Sequence, residues 1–159
     1  MIRTFAYEKD GFVYSVDRMH EYCRNENPTI IYVDIYDIIG RQPLDVSSWY
    51  CWEYDPHLGK RLGPKIISDY IVSRNKPIRS ELFISHARRV ENADLSFPIL
   101  LDKNNVIIDG NHRITMYHVM LRRGVNVGRI PAVRFNDNLL RSFVIPNTRN
   151  DLSWKKFNE

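Results

Sequence analysis

The run Pro98-Ile99-Leu100-Leu101-Asp102-Lys103-Asn104-Asn105-Val106-Ile107-Ile108-Asp109-Gly110-Asn111-His112-Arg113-Ile114 decides how this chain folds. Phe97 to Leu101 is apolar and strand-sized. Asp102-Lys103-Asn104-Asn105 has turn chemistry. Val106-Ile107-Ile108 is a second short strand, β-branched throughout. Asp109-Gly110-Asn111 then marks a strand-to-helix junction, after which Ile114, Tyr117, Met120 and Leu121 mark a helix face. Gly124 stops that helix, and Arg122 and Arg123 sit favourably at its C-terminal end. Ile130-Pro131-Ala132-Val133-Arg134-Phe135 reads as a further strand. Strand, turn, strand, helix, strand predicts an α/β (α+β) fold with a mixed sheet.

Upstream, residues 3–7 and 11–15 read as two strands around Asp10-Gly11, a hairpin signal. Ser15 or Asp17 is placed to cap a helix carrying Met19, Tyr22 and Cys23, and Pro28 closes it. Thr29-Ile30-Ile31-Tyr32-Val33 predicts a buried strand. The stretch from Arg41 to Gly63 is the least regular. Pro64 suits the first turn of a helix with Ile66, Ile67, Tyr70 and Ile71 on one side. Ser80 caps another, with Glu81 in its first turn and Phe83, Ala87 and Val90 as its apolar stripe. Residues 1–28 form an N-terminal elaboration, and residues 136–159 a C-terminal tail, of a single domain spanning residues 1–159.

Composition bounds the class. With 159 residues, 43% hydrophobic and 26% charged, the chain suits one globular domain that folds without disulfide or metal. No stretch approaches the roughly 20 apolar residues of a membrane helix. The N-terminus lacks the apolar core of a signal peptide, and Cys23 and Cys51 have no metal-like spacing, so a cytoplasmic protein with reduced thiols is expected. A net charge of +4 permits, without demanding, a polyanionic or phosphorylated partner.

The junction carries the functional inference. Glycine lets the backbone turn sharply and lets a ligand approach closely. The first N–H groups of a helix are unpaired and partially positive. With His112 and Arg113 as donors they make an anion site suited to phosphate. The simpler alternative is that Asp109 caps the helix while His112 and Arg113 lie on its solvated face.

Pro98 to Asp102, Val106 to Ile114, then Gly124 and Ile130-Pro131-Ala132-Val133, resemble the ParB/sulfiredoxin superfamily. Its pattern is a Pro-Ile strand, a short turn, a strand ending in Asp-Gly-x-His-Arg, a helix and an Ile-Pro-Val strand. The helix from His86 to Leu95 fits the segment before the Pro-Ile strand, and Ile30 to Val33 resembles the first strand. The clearest match covers residues 79–135. The resemblance implies a nucleotide or phosphate site at Gly110, Asn111, His112 and Arg113, binding ATP or CTP in different branches. It implies phosphoryl chemistry, NTP hydrolysis or phosphotransfer, with His112, Arg113 and Asp109 as catalytic candidates and Asp109 positioned for Mg²⁺. Some members are described as nucleases, so the alternative is a DNA-binding protein or nuclease on the same scaffold without nucleotide turnover. By analogy, a stand-alone domain suits a phage or plasmid accessory protein.

The chain departs from each branch. Sulfiredoxins carry a cysteine where Asn111 stands, so sulfinic acid reduction is not expected. ParB has two arginines at His112-Arg113 and a long helix-turn-helix region for which residues 136–159 are too short. The upstream glutamate base of the serine kinase branch has no counterpart here; Asp34 and Asp37 are the nearest acids after the first strand.

His86 and Arg89 are three apart and share a helix face. That face either turns toward the loop as part of the nucleotide site or is a solvated, ion-paired surface. Trp49, Tyr50, Trp52 and Tyr54 read as a satellite core, with a base-stacking platform beside Lys60 and Arg61 as the alternative. His57 and Cys51 make no metal pair.

Overall fold

A computed structural model of the chain describes residues 3–6, 11–40, 53–73 and 80–149. The N-terminal hairpin is present: β1 (Thr4–Ala6) pairs antiparallel with β2 (Phe12–Ser15). Ser15 then caps α1 (Val16–Glu26), its Oγ accepting the N–H of Arg18 at 3.3 Å. Met19 is buried on the inner face, and Asn27 ends the helix in the left-handed conformation just before Pro28.

β3 (Ile31–Asp34) corrects an expectation. Of this run only Val33 is buried; Tyr32 is 63% exposed. The strand lies at an edge, in a sheet of order β3, β8, β6, β7, so an apolar run that reads as buried keeps one side open. α2 (Tyr36–Ile39) follows. The stretch read as irregular contains a hairpin, β4 (Glu53–Asp55) with β5 (Lys60–Leu62). Asp55 closes it: Oδ1 accepts the N–H groups of His57 at 2.8 Å and Leu58 at 3.3 Å.

α3 (Pro64–Ser73) starts on its proline, and α4 (Glu81–Glu91) on Ser80, whose Oγ accepts from the Phe83 N–H at 3.2 Å. The Ser80 hydroxyl also donates to Asp55. β6 (Ile99–Asp102) and β7 (Ile107–Asp109) are antiparallel around a turn in which Asp102 Oδ1 accepts the N–H groups of Asn104 and Val106, at 2.7 and 2.8 Å. α5 (Asn111–Arg122) leads to β8 (Arg129–Phe135), which runs parallel to β6 with Ile99 opposite Ala132. The sheet is therefore mixed, as expected. The segment read as a tail is built differently: α6 (Asp137–Arg141) is followed by β9 (Val144–Arg149), which pairs with β2.

The chain divides into two compact units, one of residues 1–31, 99–109 and 132–159, the other of residues 32–98 and 110–131. The first has a core of Tyr14, Met19, Leu100, Phe135 and Leu140, with Tyr22 edge-on to Phe135 and Phe143. The second packs Leu62, Ile67, Ile71, Phe83, Val90 and Val119. Among the described residues no helix is long and apolar enough to cross a membrane.

Candidate functional site

β7 delivers the chain to Asp109, and Gly110 turns it into α5. Gly110 is buried and holds φ 120° and ψ 17°, a backbone that residues with a Cβ rarely adopt. The cap position thus falls on Gly110, not on Asp109 as the capping reading had it. Glycine has no side chain to cap with. The helical ladder opens with the Ile114 N–H on the Gly110 carbonyl at 2.9 Å, so the N–H groups of Asn111, His112 and Arg113 belong to the partially positive first turn.

In the second unit, α4 brings two side chains to this turn. His86, only 4% exposed, sets its Nδ1 3.0 Å from Nε2 of His112. The rings are parallel within 10° with centroids 5.3 Å apart. That separation matches the N···N distance plus the two ring radii, so the imidazoles meet edge to edge through a hydrogen bond rather than face to face. Arg89, on the exposed side, places Nη2 3.0 Å from the same Nδ1. The face of α4 that carries His86 and Arg89 therefore turns toward the start of α5.

Arg113 does something different from what its motif position suggests. Its Nη1 donates to the carbonyls of Pro98 at 2.7 Å and Phe97 at 3.2 Å, tying segment 94–98 to the first turn of α5. In that segment the Ser96 hydroxyl and N–H hold the Asp94 carboxyl below its ordinary range, and the Arg113 charge adds to this. The Asn111 carbonyl accepts from the Thr115 hydroxyl at 2.7 Å.

In the first unit Asp109 has a partner that sequence reasoning missed. His20 Nε2 lies 2.7 Å from its Oδ2, and Arg3 Nη1 lies 3.9 Å from the same oxygen. Arg3 is itself held by Asp17, whose carboxyl its backbone and side-chain bonds push down. An imidazole oriented by a carboxylate is the arrangement of a base and its orienter. It is a poor setting for Mg²⁺, which prefers oxygen ligands. Among the described residues no group of three or more His, Cys, Asp or Glu side chains is placed to hold a metal ion.

A further histidine is buried in the second unit. His118 Nδ1 lies 2.8 Å from Ser68 Oγ, while Arg122 Nη1 donates to Ser68 Oγ at 3.2 Å and to Asp69 at 2.6 Å. Burial, reinforced by the Arg122 charge, pushes His118 down to about 4, so it is neutral at pH 7 and serves packing. Burial also pushes the Cys23 thiol up, which suits an inert cysteine. Trp49, Tyr50, Cys51 and Trp52 lie outside the described residues; Tyr54 is 55% exposed.

Comparison with protein families, with characterised proteins and with solved structures finds no match to this chain.

Proposed function

We propose that this chain is a ParB/sulfiredoxin-like protein that binds a nucleoside di- or triphosphate through its terminal phosphates at the first turn of α5. The observation that carries the reading is the meeting of His86, Arg89 and His112. Residues 26 positions apart in sequence bring two imidazoles and a guanidinium to an anion-favouring helix start whose cap is a glycine. Gly110 supplies the turn that starts the helix, while Asn111, His112 and Arg113 contribute N–H groups. The His112 and Arg89 side chains supply further donors. Arg113 acts mainly as a positioning residue, through the Phe97 and Pro98 carbonyls. Turnover, as hydrolysis or transfer, belongs to the same reading, with a donor at His112 stabilising charge on the phosphoryl oxygens. Mg²⁺ would be held largely by the nucleotide's own phosphates and would neutralise their charge.

A thermal-shift series with ATP, ADP, CTP, GTP and a short DNA duplex, each with and without Mg²⁺, tests it. A nucleotide at 100 times its dissociation constant adds about 2.7 kcal/mol of stability. Arg89→Ala and His112→Ala should each reduce that shift. Stabilisation by DNA alone, falling steeply with salt, would instead favour a DNA-binding protein or nuclease on the same scaffold. No response to any nucleotide overturns the proposal.

A further inference from the structure

Segment 94–98 is tightly held. Asp94 Oδ1 accepts the Ser96 N–H at 3.0 Å and the Ser96 hydroxyl at 2.6 Å, and the Phe97 N–H donates to the Asp94 carbonyl at 3.3 Å. From α5, the Tyr117 hydroxyl donates to the Leu95 carbonyl at 3.1 Å, and Arg113 engages the carbonyls of Phe97 and Pro98. Pro98 restricts the backbone of Phe97 further. The main chain of Phe97 is thus fixed on both sides, by a turn at its N–H and by α5 at its carbonyl. Its ring is nevertheless left in solvent, with the residue 63% exposed. A single exposed apolar residue is ordinary; the anchorage of this one is not. Tyr32, Tyr36, Tyr54 and Phe97 are exposed aromatic residues, and it is Phe97 whose backbone is bonded to a residue of the first turn of α5.

We propose that Phe97 is the platform on which the base of a nucleotide stacks while its terminal phosphates sit at the first turn of α5. This rests on the phosphate-binding reading and names the residue that takes the other half of the ligand. The Phe97 carbonyl is one hydrogen bond and one arginine side chain away from that turn, and a nucleotide separates its base from its last phosphate by a ribose and the intervening phosphates. The two spans are of the same order. Because the backbone is already fixed, stacking has only the two side-chain torsions of Phe97 to order, which keeps its entropic cost low. An aromatic face attracts any base and reads no hydrogen-bond pattern. Selection therefore follows stacking area, and purine nucleotides, with two fused rings, bind more tightly than pyrimidine nucleotides.

Phe97→Ala removes the ring and keeps the carbonyl that Arg113 engages, so it tests the platform without untying the segment. Calorimetric titration of the full chain with ATP, GTP and CTP in the presence of Mg²⁺ should show ATP and GTP ahead of CTP, and Phe97→Ala should weaken ATP roughly five- to a hundredfold. Phe97→Trp should restore the affinity. Inorganic tripolyphosphate carries the phosphate chain without a base, and its affinity should be the same for Phe97→Ala as for the unsubstituted chain. In proton NMR the adenine ring protons of ATP should move upfield on binding, through the ring current of Phe97, and this shift should vanish in Phe97→Ala. ATP affinity unchanged in Phe97→Ala, an equal loss for tripolyphosphate, absence of the upfield shift, or CTP binding as tightly as ATP would each overturn the platform and leave the phosphate reading standing. Absence of binding by all three nucleotides and by tripolyphosphate would overturn that reading, and the platform with it.

Discussion

At position 110 any side chain would have to hold φ near 120°, a conformation that glycine adopts readily and other residues hold only under strain. Gly110→Ala should therefore lower stability by roughly 1–3 kcal/mol in urea unfolding, and should weaken nucleotide binding by displacing the first N–H groups of the helix. His118 gives a pH signature of its own. Its folded pKa is depressed to about 4 from 6.5. Between those values the unfolded chain binds a proton that the folded one does not, so stability is full above about pH 6.5 and falls as pH drops toward 4. The loss should be on the order of 3 kcal/mol. Urea unfolding at several pH values should show a flatter profile in this window for His118→Gln than for the unsubstituted chain. Residues of the site were unequally legible in the sequence. Gly110, Asn111, His112 and Arg113 follow from a short-range pattern, an apolar strand meeting a helical stripe. The partners of those residues do not. His20 stands 89 positions from Asp109, and no periodicity links them. Arg113 shows its charge in the sequence but not the two carbonyls that engage it. His86 and Arg89 shared a face on spacing alone; only the packing of α4 on α5 gave that face a direction.

Among the elements, those with local punctuation were readable: Ser15, Pro64 and Ser80 each start the helix they were expected to start. Ser80 does more than its position suggests, since its hydroxyl caps α4 and also donates to Asp55 at the β4–β5 hairpin. Ser80→Ala removes the cap and leaves a buried carboxylate short of a donor. It should lower stability by at least about 1–2 kcal/mol, and hydrogen exchange at the start of α4 should quicken. The elements that were misread fail for physical reasons. β9 contains Pro146, which demotes a strand in any sequence reading; the sheet order β1, β2, β9 puts it at an edge, where proline is tolerated. β3 is apolar enough to pass for a central strand, but burial depends on neighbours, and an edge strand has one. The β4–β5 hairpin hid in an aromatic-rich stretch because its turn relies on a side chain, Asp55, rather than on an Asn-Gly pair.

At the scale of the whole molecule, neither compact unit is a continuous piece of chain. The first is assembled from three segments, the second from two. Removing residues 136–159 takes Leu140, Phe143 and β9 away from the core that contains Tyr14, Met19 and Phe135. A chain ending at Phe135 should therefore lose cooperative unfolding of the first unit, and limited proteolysis should cut α1 faster than in the full chain. An unchanged melting temperature for that truncation would contradict the assignment of α6 and β9 to this core. The same pairing has a consequence for biosynthesis. Tyr14 lies opposite Val144, 130 residues further along. At ordinary translation speeds the ribosome needs on the order of ten seconds to make that stretch. Throughout that interval the newborn hairpin of β1 and β2 offers an unmatched strand border to its surroundings, so synonymous codons that slow elongation before residue 144 should lower the soluble yield of the chain.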